Sequence, residues 1–122
     1  MIGSLMMCIG AVVLLVGMLA GIAMGIEQDF ALAPAHAHLN LVGGVLLFLF
    51  GLYYRLVPEA GTSALAKLQG SLHILGAILF PAGVALVVLK GTSFIAAPIA
   101  GSLIVVAAMA LFAVIVLRTA RA

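Results

Sequence analysis

Apolar residues fill this chain in four long stretches, each closed by a short break of polar, glycine or proline residues. The first covers about residues 2–26 and stops at Glu27-Gln28-Asp29, with Pro34 soon after. The second, about 35–57, ends at Pro58, which cannot continue a helix without losing a backbone hydrogen bond. A connection over 59–66 contains Gly61-Thr62-Ser63, the third stretch covers about 67–89 with Pro81 as an expected kink, and the fourth covers about 93–117 after Lys90-Gly91-Thr92. Each is as long as the ~20 apolar residues that cross a bilayer core of ~30 Å. In lipid only helices and closed barrels satisfy their own backbone, and uninterrupted runs of this length favour helices. The pattern predicts an all-α membrane protein, one domain over residues 1–122 with four transmembrane helices.

Composition agrees: 67% of residues are hydrophobic and 7% charged, with a mean hydropathy of +1.48. The net charge of +2 comes from basic residues at segment ends, so they act as topology signals, and no nucleic-acid partner is expected. Arg55 and Lys67 flank the second connection, and Arg118 and Arg121 close the chain. The other side carries Lys90 alone, with Glu27 and Asp29. Positive charge gathers on the cytoplasmic face, so both termini are expected in the cytoplasm and the chain in the inner (plasma) membrane. Ala31-Leu32-Ala33 resembles a signal-peptide cleavage site, but the start lacks Lys and Arg, the apolar run is too long, and Pro34 would follow the cut; the first segment is expected to be retained. The lone Cys8 can form no intrachain disulfide, and no covalent haem-attachment motif is present, so any haem would be held non-covalently.

Candidate chemistry concentrates at the start of the second helix. Histidine in a bilayer is costly unless it binds something or faces protein, which makes His36 and His38 functional candidates. On a regular helix an i, i+2 pair points about 200° apart, feeding two separate sites. An extended start after Pro34 would instead put both rings on one face, able to chelate one ion. The plain alternative is a pair of interfacial histidines meeting water. Asn40 is placed to orient a ligating ring or to make an ordinary interhelical contact. Lys90, the one basic residue on its side, is either a cofactor partner or a snorkelling lysine.

The remaining polar residues form a second group. Gln69 and His73 stand at i, i+4 on the third helix with Gly76 on the same face, a stripe expected to face protein. At ~1.5 Å per residue, His73 lies on the order of 18 Å from His38 along the membrane normal, so the two cannot share a metal within a protomer. A buried interhelical contact is one reading of His73; a soft Cu(I) site with Cys8 and Met7 is the other, although methionine is usually adaptable packing. Gly17, Gly21 and Gly25 give the first helix a smooth four-residue stripe, expected to pack on another helix.

From His36 to Pro58 the residues resemble the tenth helix of haem-copper oxidase subunit I. They carry Ala35-His36-Ala37-His38, Gly44, Gly51 and Tyr53-Tyr54 before Pro58 in the same register. His38-Leu39-Asn40 and Tyr53-Tyr54-Arg55-Leu56-Val57-Pro58-Glu59 are also similar, with a one-residue slip, to the second helix of the nitric oxide reductases of that superfamily. The resemblance covers about a fifth of the chain. In that family the two histidines of the tenth helix ligate different haems, and twelve helices form three arcs of four. The resemblance therefore implies one arc of a haem-copper-oxidase-like ring, completed by homo-oligomerisation. It implies a homotrimer with haem b between protomers, held by His38 of one and His36 of the next, with Asn40 and Lys90 as further cofactor-binding residues. A dimer with His38 facing its own copy is the second arrangement.

Departures from the family narrow the expected function. The copper centre needs three more histidines near the high-spin haem, and neither these nor the cross-linked tyrosine and proton-channel carboxylates have counterparts here. Reduction of oxygen or nitric oxide is not expected. What the resemblance implies is a b-type cytochrome-like protein for electron transfer or haem binding, with a quinone or cytochrome as redox partner. Copper handling, with copper as the cofactor, and a non-catalytic role in assembling a respiratory complex are the alternatives.

Overall fold

A computed structural model describes residues 1–122 as an all-helical chain. Four helices are long and apolar enough to cross a membrane: Ile2–Glu27, Ala33–Leu56, Ala64–Lys90 and Thr92–Ala120. This is the architecture of a multi-pass membrane protein, and the breaks have local causes. Gln28 adopts the left-handed conformation (φ 54°) that closes many helices, and its side-chain amide donates to the Gly25 carbonyl at 2.6 Å. The second span begins at Ala33, two residues before its expected start. Pro34 sits in its first turn, where a backbone N–H would have no helical acceptor. After Leu56, Val57 leaves helical geometry and Pro58 opens a single turn, Pro58–Gly61. Ser63 then caps the third span, its hydroxyl accepting from the Ala66 N–H at 3.1 Å. That span runs on through the buried Pro81 to Lys90.

The first span packs on the second, the second on the third and the third on the fourth. Between the first two, the seam differs from the expected stripe. Gly3, Gly10 and Gly17 are buried, every seventh residue, whereas Gly21 is half-buried and Gly25 exposed. A Cβ on Gly3 would meet the Gly51 carbonyl, one on Gly10 the Phe48 and Gly44 backbone, and one on Gly17 the Asn40 carboxamide. The seven-residue repeat keeps one narrow seam facing the partner helix over the whole span, which a four-residue repeat does not. Gly44 and Gly51, part of the oxidase-like register, thus have a packing role in this chain.

Around residue 47 on the half of the bundle nearest the chain termini lies a core of Met6, Leu47, Phe50, Tyr54, Ala60, Ala66 and Ile115. Most other large apolar side chains, Val12, Leu15 and Leu103 among them, are exposed, as expected of helices solvated by lipid on their outer faces. The second span also contains a π-helical stretch, Leu39–Leu46. Its i→i+5 bonding inserts extra arc into the helix. It therefore changes which face the histidine end presents relative to the aromatic end at Phe50 and Tyr54, something a 3.6-residue period does not reveal.

Candidate functional site

The helical start places the two rings on opposite flanks, as the i, i+2 spacing predicts. His36 turns to the first span: its Nε2 lies 2.7 Å from the Gly17 carbonyl oxygen and 2.9 Å from the Asn40 amide nitrogen. A carbonyl can only accept, so Nε2 carries the proton and donates to Gly17. The Asn40 carboxamide then meets the same N–H best with its oxygen towards the ring. This amide orientation gives Oδ1 a donor and turns the amide nitrogen to the buried side facing the first span. Asn40 does contact a histidine ring, as expected of an orienting residue, but it holds that ring against the first span. The His36 Nε2 is thereby occupied within the protomer.

His38 turns to the third span, where its ring meets Phe80 edge-on at a centroid distance of 4.6 Å. Its Nδ1 lies 2.7 Å from the Pro34 carbonyl. That oxygen again only accepts, so Nδ1–H donates and the lone pair of the neutral ring sits on Nε2. A backbone carbonyl on one ring nitrogen is the usual partner that fixes tautomer and orientation in a ligating imidazole. His38 is half-buried and its Nε2 has no partner in the chain. Pro34 and Phe80 are neighbours of His38 that sequence reasoning missed. Pro34 was visible at i−4 from His38; nothing in the sequence pointed to Phe80.

His73 and Gln69 are fully buried, in agreement with a protein-facing stripe. His73 Nε2 donates to the Val42 carbonyl, inside the π stretch, at 2.9 Å, and its ring stands edge-on to Phe50 at 4.8 Å. Gln69 Oε1 accepts from the Tyr54 hydroxyl at 2.9 Å. The Cu(I) grouping is corrected here. Cys8 is exposed on the outside of the bundle, Met6 rather than Met7 points into the core, and His73 spends Nε2 on Val42. Nowhere do three or more His, Cys, Asp or Glu side chains converge.

Lys90 is exposed at the end of the third span. It lies ten residues beyond Phe80, or ~15 Å along a helix, and no hydrogen bond joins it to either histidine. The structure thus pairs His36 with Asn40 and Gly17 and pairs His38 with Pro34 and Phe80. Neither ring bonds His73 or Lys90, but His73, on the Val42 carbonyl, meets the second span four residues, or about 6 Å, along it from His38, closer than the roughly 18 Å expected. No protein family, curated protein or solved structure matches this chain, and nothing in these comparisons indicates a relationship to the haem-copper oxidases.

Proposed function

We propose that this chain is a b-type cytochrome-like membrane protein that holds a non-covalent haem b between protomers through His38, for electron transfer or haem binding. The observation that carries the reading is the His38 ring, fixed by the Pro34 carbonyl and Phe80 with an unprotonated Nε2 left over. Because His36 and His38 face opposite flanks, one protomer cannot hold a haem with both rings, and a second histidine would come from another copy. His38 facing its own copy across a twofold axis needs no rearrangement. The trimeric pairing of His38 with His36 of a neighbour would use His36 Nδ1 or cost the bond to Gly17, whereas the twofold arrangement uses a nitrogen of the same kind, Nε2, on both sides, and is the better supported. Closed cyclic assemblies of either kind are common among homo-oligomers.

Bound haem b would be held by His38 of the two copies and would supply one-electron redox chemistry. The chain's own residues orient the ligating ring, and the apolar helix faces around it keep water away. Lys90 is the basic side chain at that end of the bundle that an outward-facing propionate would meet. The likeness of the second span to an oxidase arc belongs to the same proposal. So does the orientation with both termini in the cytoplasm, supported by Arg55, Lys67, Arg118 and Arg121.

The test is a visible spectrum of the protein purified from haem-sufficient cells. A sharp Soret band with split α and β bands on reduction is expected, lost in His38→Ala and kept in His36→Ala. Full haem occupancy in His38→Ala would refute the assignment. A colourless sample loaded with copper would favour copper handling, and one without metal an assembly role.

A further inference from the structure

The first and third spans approach closely near the chain termini, where Ile2 and Met6 pack on Gly70. Towards the opposite side they separate, and a cleft of about 430 Å³ opens between them over the start of the second span. This is the size class of small-molecule sites, which are mostly apolar with a few placed polar groups. Ala20 and Met24 form one wall, Ala82 and Ala85 the other, and Ala35 lies between them. Alanines at these positions leave the space that larger residues would fill. His36 is the one polar side chain lining the cleft. No charged residue does so, which disfavours an ionic headgroup. The lipid-exposed helices around the cleft make the bilayer its route of access.

The protonation of His36 defines what the cleft can recognise. With Nε2–H committed to the Gly17 carbonyl, the neutral ring has an acceptor lone pair on Nδ1. That nitrogen has no partner in the chain and is not among the buried unpartnered atoms, so it remains accessible. An acceptor in an apolar cleft selects a ligand that brings a donor. We infer that the cleft binds a lipid-soluble molecule whose hydroxyl donates to His36 Nδ1. A membrane quinol and a neutral hydroxyl-bearing lipid such as diacylglycerol share this chemistry. An oxidised quinone, which carries only acceptors, does not. The site lies on the flank opposite His38 and does not require a haem.

Isothermal titration calorimetry on the full chain in detergent, with decylubiquinol, decylubiquinone and 1,2-dioctanoylglycerol as separate probes, tests the inference. The hydroxyl-bearing probe of the correct source binds at one site per chain, and which of the two binds names that source. Decylubiquinone binds at least roughly tenfold more weakly, as expected when a site built for a hydroxyl meets a ligand lacking it. Ala82→Phe and Ala20→Leu fill the cleft from opposite walls and His36→Leu removes the acceptor; each weakens binding by roughly tenfold or more. His38→Ala leaves binding unchanged, which separates failure of this inference from failure of the haem assignment. No binding of either hydroxyl probe, equal binding of decylubiquinone, or undiminished binding in both cleft-filling variants would overturn it.

Discussion

Substituting Gly17 tests the packing that holds His36. A Cβ at this position would overlap the Asn40 carboxamide, and the Gly17 carbonyl is the acceptor for His36 Nε2–H. In Gly17→Ala either Asn40 is expelled from the seam or the two helices separate locally. Overpacking of this kind costs about 1–3 kcal/mol, and interhelical polar contacts in membranes are worth about 0.6–2 kcal/mol each. Losing the seam and one such contact therefore destabilises the protein by about 2–5 kcal/mol. Gly25→Ala is the matched control, because its Cβ meets nothing within 4 Å, and surface changes of that kind stay within about 0.5 kcal/mol. Reversible unfolding in mixed micelles, followed by circular dichroism, measures both. The collision also predicts strong non-additivity: once Asn40→Ala has emptied the space, adding Gly17→Ala costs little. Equal stability of Gly17→Ala and Gly25→Ala, or additive costs in the double variant, would refute the reasoning.

Other outcomes follow from the same contacts. His73→Ala removes a fully buried ring bonded to the Val42 carbonyl and stacked edge-on against Phe50; unfolding in micelles should show a loss of about 2–5 kcal/mol, the range for deleting large core side chains. Tyr54→Phe strands the buried Gln69 carboxamide, and the same assay should register about 1–3 kcal/mol for the unsatisfied group. Cys8 is exposed on the outside of the bundle, so Cys8→Ser should leave stability in micelles within about 0.5 kcal/mol of the unsubstituted protein and any bound metal unchanged. In that Cys8→Ser background, a cysteine at Ser93 should react with an impermeant maleimide from outside intact cells and one at Thr62 only after permeabilisation; the reverse pattern would invert the topology.

Much of the bundle was readable because it depends on quantities that accumulate along the chain. Runs of apolar residues long enough to cross a bilayer determine four spans whatever their neighbours are. The breaks at Pro58 and Lys90-Gly91-Thr92 belong to residues that end helices locally, and the opposed flanks of His36 and His38 come from helix geometry alone. Boundaries moved by a few residues, and at Pro34, which entered the first turn of its helix, and at Ser63, which caps the third span, a local rule set them.

The site itself depended on partners distant in sequence. Whether His36 is free for a ligand turns on the carbonyl of Gly17, nineteen residues away, and the choice of Gly10 over Gly25 as a contact turns on a heptad seam that only the facing helix defines. The π stretch at Leu39–Leu46 has no signature in hydrophobic periodicity, yet it aligns Val42 with His73. Sequence by itself determined that this protein crosses a membrane four times and carries two imidazoles at the start of one span. Tertiary structure alone decided which ring nitrogen keeps a lone pair, because a carbonyl from another turn or another helix fixes where the proton sits.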